Sequence, residues 1–542
     1  MSGEVLADSL AEARRLIAEY ERSVVPLEIA TARAWWQANI SGKDADFAAK
    51  EAAENRLNEA LADRDRFAQL KRLRQAALAD PLVRRQIELL YLVHLDKQVD
   101  AELLRRMTSK SNAIEKQFNV YRAKVGDRAY TDSEVRKILR TSKDVKLRRR
   151  VWEASKGVGR AVIDDLKSLV FLRNQAARQL GFRNYHQMQL SLHEQDPADV
   201  LTLFDELDRL TREPFLQRKR QIDERLAERF GVPVDALRPW HYDDPFFQEP
   251  PAIYGTDLDA PFAKADIVAI CRRFYRGIGL PIDDVLARSD LYEKPGKSPH
   301  AFCTDIDRAG DVRVLANIVP NEYWMGTMLH ELGHSVYSSK YIPSTLPYVL
   351  RTESHILTTE GVAMMFERFS KSGEWLSEMG VPVSDVKAYS RAARAMRRDQ
   401  LLIFSRWCQV MLRFEAAMYE RPDQDLNRLW WDLVERYQGI HRPEARDAPD
   451  FAAKIHIVSA PCYYHNYMMG ELFACQLHAA IAREVSHNDR PATLIYTRSP
   501  EVGRFMIQHV FAPGKRLPWN ELTRFATGAP LNAKAFAAEF GQ

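Results

Sequence analysis

Cysteine is scarce in this chain of 542 residues: Cys271, Cys303, Cys408, Cys462 and Cys475 are the whole set. The number is odd and no two stand in a CxxC spacing, so neither a disulfide framework nor a thiolate zinc site is expected. Charge of one sign is lacking too, since 78 Lys+Arg against 74 Asp+Glu leave a formal +4. Such a balance gives no reason to expect nucleic acid or an anionic membrane as partner. No apolar run reaches the roughly 18 residues that a membrane span needs. The opening residues, Met1 to Asp8, are polar and acidic and lack the basic and apolar regions of a secretory signal, so the expected address is the cytoplasm. Gly/Ser linkers, low-complexity tracts and fixed-period repeats are missing as well.

What is present is an ordinary globular composition, 46% hydrophobic and 28% charged, with helical patterning over most of its length. Val162, Ile163, Leu166, Leu169, Val170, Ala176, Ala177 and Leu180 recur at three- and four-residue spacing and stop at Gly181. The first 120 residues are amphipathic, rich in Ala, Leu, Arg and Glu. Residues 231–261 are proline- and aromatic-rich and read as a loop between two helical halves of one continuous fold. One place departs from the helical pattern. His300–Ile306 and Val312–Ile318 are β-prone and flank the polar turn Asp307–Asp311, which predicts a hairpin.

Directly after it stands His330-Glu331-Leu332-Gly333-His334, the HExxH pattern. On a helix, residues i and i+4 share a face, so both imidazoles can reach one zinc ion, and the adjacent glutamate can deprotonate a water. The surrounding helical pattern runs from Tyr323 to Lys340 and is ended by Pro343 and Pro347. A third ligand is needed. A second helix is expected from Thr352 to about Phe369, returning antiparallel, and it offers Glu353, His355, Glu360 and Glu367. Glu360 leads, because it opens the apolar stretch Gly361–Phe366, where a carboxylate wants a cation. Lys340 stands where an HExxHxxGxxH motif would place its last histidine, which points to a glutamate-ligand zinc enzyme.

A second cluster follows downstream, Lys454-Ile455-His456 and then Tyr463, Tyr464 and Tyr467. Amide hydrolysis needs donors aimed at a developing oxyanion, and histidine and tyrosine supply them. Tyr464 and Tyr467, three apart, share a helix face; aromatic core packing is the alternative for the tyrosines. The run Lys146–Arg150 reads as a solvated helix face.

With both clusters in view, the chain resembles the angiotensin-converting-enzyme family of zinc peptidyl dipeptidases and, more distantly, thimet-type oligopeptidases. The likeness runs in order from about residue 20 to 530. It passes through Asn174–Arg178, His300-Ala301, the HExxH helix, Glu360, Trp430-Trp431, Tyr437–Ile440, Lys454–His456 and the Tyr464/Tyr467 helix ending in Gln476-Leu477-His478. The resemblance implies that His330, His334 and Glu360 hold zinc and that Glu331 is the general base and later proton donor. It implies oxyanion donors in His456 and Tyr467, and a grip on the peptide's C-terminal carboxylate in Lys454 and Tyr464. His300 and the backbone of Ala301 would hold the substrate as an added strand.

Several positions depart from the family pattern. One extra residue lies between His456 and the tyrosine pair, which makes Tyr463 the ungapped alternative to Tyr464. Met364 stands where the family has an aspartate bracing a zinc histidine, so that support must be built differently. Val434 and Asn466 replace the two chloride-site arginines, so chloride activation is doubtful. Pro299 replaces a cysteine, in keeping with a reducing compartment. Near Trp240, Tyr242 reads as the counterpart of a glutamine that helps hold the C-terminus.

The expected fold class is mainly α: a two-lobed helical ellipsoid with a deep central cleft and a small hairpin beside the zinc helix. Residues 1–542 form one catalytic domain, 1–120 a helical lid region, and about 265–480 carry the active-site motifs. The expected function is a metallopeptidase with one Zn2+ per chain that releases C-terminal dipeptides from oligopeptides, without nucleic-acid or membrane partners. The alternatives are an oligoendopeptidase or small-amide hydrolase with the same zinc chemistry and, from another class, a catalytically silent peptide-binding protein.

Overall fold

The computed structural model describes residues 3–253, 257–488 and 491–541. The fold is mainly α. Among the described residues the strands form two antiparallel hairpins, Ala123–Val125 with Arg128–Tyr130 and Phe302–Asp305 with Val312–Leu315. The chain forms two compact units. The first unites Met1–Gln98, Asp257–Ala393 and Met469–Leu531, and the second Val99–Thr256, Arg394–Met468 and Asn532–Gln542. Residues 1–120, read together as one lid region, are thus divided between the units at Gln98. No helix among the described residues is long and apolar enough to cross a membrane.

In the first unit, the helices Gly3–Ser23, Val25–Ser41, Asp44–Leu61, Arg64–Gln75 and Pro81–Leu95 open the chain. Their apolar faces bury Leu16, Tyr20, Leu70, Leu73, Ile87 and Leu90 in one cluster that also takes in Leu350. Asp80 caps the last of them by accepting from the amides of Leu82 and Val83, with Pro81 in the first turn, where its missing N–H costs nothing. The second helix leans on the hairpin: the ring centroids of Trp35 and Trp36 lie 4.3 and 6.1 Å from that of Phe302. Its C-terminal Gly42 (φ +65°) meets Gly296 so closely that a Cβ there would sit 1.9 Å from the Gly296 carbonyl oxygen. No other residue fits that crossing.

The hairpin expected around residues 300–318 is present, with shorter strands than the β-prone runs. Phe302 faces Leu315 and Asp305 faces Val312. Asp305 turns the chain by accepting from the Arg308 amide at 2.9 Å, a common use of a short carboxylate in a turn.

The HExxH helix runs Glu322–Tyr337, started by Asn321, which accepts from the Trp324 amide at 2.9 Å. The returning helix is Ile356–Glu367, four residues later than the expected start at Thr352. The intervening residues are held outside the helix by their own polar contacts. Ser354 Oγ donates to the Leu517 carbonyl at 2.7 Å, and the Ser354 amide donates to Tyr337 Oη at 3.2 Å. His355 then serves as the cap, its Nδ1 accepting from the Leu357 amide at 3.1 Å.

In the second unit the pattern read over 162–180 is the helix Gly157–Gln179, followed by Gly181 at φ +88°. It packs beside Ala101–Val120, with Leu103, Leu172 and Ala176 buried together. A Cβ on Gly159 would lie 2.3 Å from the Pro449 carbonyl oxygen, so this helix backs closely onto the segment leading to Lys454. The proline-rich stretch contains no α-helix among the described residues between Phe230 and Ile267, only short 3-10 turns. Buried Arg148 fixes its course, donating to the Trp240 carbonyl at 2.7 Å and to Asp243 at 2.8 Å.

Candidate metal centre and catalytic groups

The two central helices of the first unit run antiparallel. His330 meets Glu367, His334 meets Thr359, and Tyr337 meets Thr358, so partners descend along one helix as they climb the other. Gly333 makes this possible. A Cβ at that position would stand 2.8 Å from Ala363 Cα, and the missing side chain lets the second helix lie directly against the HExxH turn.

Three donor atoms converge there. His330 Nε2 and His334 Nε2 are 3.1 Å apart, and Glu360 Oε2 lies 3.5 Å from the first and 3.9 Å from the second. A tetrahedral zinc site with bonds of about 2.0–2.2 Å has ligand-to-ligand edges of about 3.3–3.6 Å. The triangle fits that size, and two imidazoles with one carboxylate suit zinc in type. It is the metal-competent group of His, Cys, Asp and Glu side chains found among the described residues. The three side chains keep 15–19% of their surface exposed, so a fourth position can open to solvent, as a catalytic site requires.

The other imidazole nitrogens are held as well. Glu367 Oε2 lies 2.9 Å from His330 Nδ1, and Thr359 Oγ1 lies 2.7 Å from His334 Nδ1. Such contacts fix each ring's orientation, and a carboxylate partner also raises its basicity. Glu367, one of the four candidate third ligands, is therefore the brace. It stands two turns beyond Glu360 on the same helix face, and this is how the support missing at Met364 is built. Of the remaining candidates, Glu353 accepts from Thr352 Oγ1 at 2.7 Å and His355 is the helix cap.

Glu331 is 8% exposed. Burial pushes its carboxyl up to about 7, the nearby His330 opposes that, and Glu360 and Glu367 reinforce it. The Cys303 backbone N–H, on the edge strand of the hairpin, donates to it. Strand and helix thus meet at the proposed base. His300 is exposed and Ala301 half-buried, both just before that strand.

The second unit holds the downstream cluster. Lys454 is buried beside the rings of Trp407, Phe246 and Tyr464, with its Nζ 5.1–5.5 Å from their centroids. Its Nζ donates to Gln248 Oε1 at 2.8 Å, and Tyr464 Oη donates to the same oxygen at 3.4 Å. Burial brings the Lys454 ammonium down to about 8, with Asp244 opposing and Arg136 assisting. The His456 ring lies 5.2 Å from Tyr464, and Tyr464 lies 5.5 Å from Tyr467. Burial, helped by Lys454, lowers His456 to about 4, so near neutral pH it is an uncharged imidazole. Its Nδ1 is buried without a hydrogen-bond partner. Tyr463 packs its ring against Tyr467 at 5.3 Å.

One expectation is corrected here. Tyr242 donates to Asp223 and accepts from Lys219, both at 2.9 Å, and it takes no part in the Lys454 cluster. Gln248 holds that place. The sequence did carry a signal for it, since Gln248 is the single glutamine between residues 231 and 261.

An HExxH helix joined by a glutamate from an antiparallel neighbour, in a mainly helical chain, is a metallopeptidase type of centre. Comparison with known families gives the narrower assignment. The family model described as angiotensin-converting enzyme matches residues 7–217 and 259–541, and the chain belongs to that peptidase family. The angiotensin-converting enzyme of Oryctolagus cuniculus is 24% identical over 426 residues, 72% of this chain and 32% of that protein. That of Sus scrofa is 23% identical over 418 residues, 71% of this chain and 31% of that protein. That of Theromyzon tessulatum is 22% identical over 321 residues, 56% of this chain and 51% of that protein. The chain thus spans about a third of the length of the mammalian relatives it matches.

Proposed function

We propose that this chain is a zinc-dependent peptidyl dipeptidase that removes dipeptides from the free C-terminus of short peptides. The observation that carries the reading is the half-buried triangle of His330, His334 and Glu360, with both outer nitrogens braced. A zinc ion held by His330, His334 and Glu360 would supply Lewis acidity toward water and the peptide carbonyl. Glu331, placed in the HExxH turn beside His330, would take a proton from the attacking water and return it to the leaving amine. His456 and Tyr467 donate to the developing oxyanion. Lys454, Gln248 and Tyr464 grip the terminal carboxylate, and the pair of donors already converging on one oxygen supports that role. His300 and Ala301 take the substrate backbone beside the edge strand.

Chloride is not required in this reading. Val434 is apolar and buried, and the Asn466 side chain accepts from Gln195 Nε2 at 2.7 Å, so neither position offers an anion a cationic partner. All five cysteines are free, which supports a reducing, cytoplasmic setting. Oligopeptides are the partners, with no nucleic acid and no membrane.

The test is a matched set of penta- to decapeptides, free-acid and C-terminally amidated, incubated with the zinc-loaded protein and read by mass spectrometry. Dipeptides released only from the free acids support the proposal. Internal cuts indifferent to amidation overturn the dipeptide rule and select an oligoendopeptidase.

A further inference from the structure

The backbone between His456 and Tyr467 follows a path that its own sequence does not favour. A single turn of helix, His456–Ser459, gives way to Ala460, Pro461 and Cys462 before the helix His465–Glu484 begins. Cys462 has φ +56°, in the left-handed region where a Cβ is crowded and glycine is the usual occupant. No glycine stands between His456 and Tyr467.

Two buried side chains hold it there. Glu415, 2% exposed, accepts from the Cys462 amide at 2.9 Å. Arg173, 5% exposed, donates to the carbonyls of Ile457 and Val458 at 2.9 and 2.6 Å and to Tyr419 Oη at 3.0 Å. Those carbonyls belong to a helical turn that ends without a successor, so they need outside donors. Burying a carboxylate and a guanidinium is unfavourable unless each is hydrogen-bonded. Here both groups are directed at the loop backbone; burial pushes the Glu415 carboxyl up to about 7, with the Cys462 amide and Arg173 opposing, and in either protonation state it offers an oxygen to that amide. Arg173 comes from Gly157–Gln179 and Glu415 from Val386–Glu420, so two long helices grip opposite ends of one short segment.

We propose that Arg173 and Glu415 are positioning residues for hydrolysis. They hold the loop in its left-handed path and so keep His456 at one end in place relative to Tyr464 and Tyr467 at the other. This rests on the role proposed above for His456 and Tyr467. Neither Arg173 nor Glu415 touches the substrate.

The experiment compares kcat and KM of the zinc-loaded full chain carrying Glu415→Ala, Glu415→Gln, Cys462→Gly and the double variant Glu415→Ala/Cys462→Gly, with His456→Ala alongside. Glu415→Ala is expected to lower kcat about ten- to hundredfold, the scale of an ångström-sized misplacement, with KM and zinc content little changed. Glu415→Gln keeps an acceptor oxygen and retains most of kcat. Cys462→Gly retains it as well, and in the double variant glycine, which adopts the left-handed turn unaided, restores a large part of the loss. Should Glu415→Ala fail to fold, Glu415→Gln and the further double variant Glu415→Gln/Cys462→Gly decide: a Glu415→Gln variant whose kcat drops and is not recovered in that double variant overturns the proposal. An unchanged kcat in Glu415→Ala overturns it as well, and so does a double variant no faster than Glu415→Ala. If His456→Ala keeps full kcat, the proposed role of His456 has failed. If His456→Ala is slow while Glu415→Ala is not, the fault lies with the positioning role alone.

Discussion

Glu367 Oε2 sits 2.9 Å from His330 Nδ1, while Glu360 Oε2, two helical turns earlier, sits 3.5 Å from His330 Nε2. One helix thus addresses both nitrogens of the same imidazole. Seven residues bring a helix almost back to the same face, with a rise of about 10 Å. The antiparallel pairing with the HExxH helix places that rise along the histidine ring. The brace is reached at Glu367 with Met364 left apolar between the two carboxylates.

Removing that brace is expected to weaken zinc binding. Glu367→Ala should lose about 10- to 100-fold in zinc affinity, the usual scale for a carboxylate behind a ligating histidine, and Glu367→Gln less. Competition with a chromophoric chelator measures this directly, and an unchanged affinity in Glu367→Ala would remove Glu367 from the site.

The approach of the two helices depends on Gly333. A methyl group there would stand 2.8 Å from Ala363 Cα, on backbone that cannot step aside. Gly333→Ala should therefore destabilise the protein by about 1–3 kcal/mol, as overpacked cores do, and also reduce zinc affinity by moving Glu360 outward. Thermal unfolding and zinc titration together check this. A stable variant with intact zinc affinity would show that the helices have slack.

A pH profile should expose Lys454. Burial brings its ammonium down to about 8 in the free protein, so the charge is present below that pH and lost above it. For free-acid peptides, kcat/KM, which reports groups of the free enzyme, should fall as pH rises through about 8. Lys454→Arg stays charged throughout and should lack this limb. A limb of equal size for amidated peptides would contradict a carboxylate grip.

Much of this was legible in the chain because it is local. HExxH spacing, the β-prone runs around Asp307–Asp311 and the apolar stretch after Glu360 each declare themselves within fewer than twenty consecutive residues. What escaped was set by distant partners. The second helix starts at Ile356 because Ser354 is tied to Leu517 and Tyr337. Gln248, and not Tyr242, meets Lys454 because Arg148 anchors the proline-rich stretch at Trp240 and Asp243. The turn at Cys462 depends on Glu415, 47 residues earlier in the chain, and no periodicity reports such a contact. Glu367 was in view as a candidate ligand, but only the register between the two helices tells brace from ligand.

The most direct test of the account is to measure bound zinc and peptide hydrolysis side by side in the unaltered protein and in Glu331→Gln. One zinc per chain is expected in both, with hydrolysis lost by about a thousandfold or more in the variant, since the amide keeps the shape and cannot take the proton. Hydrolysis that survives in Glu331→Gln, or an unaltered protein that binds no zinc, would contradict it.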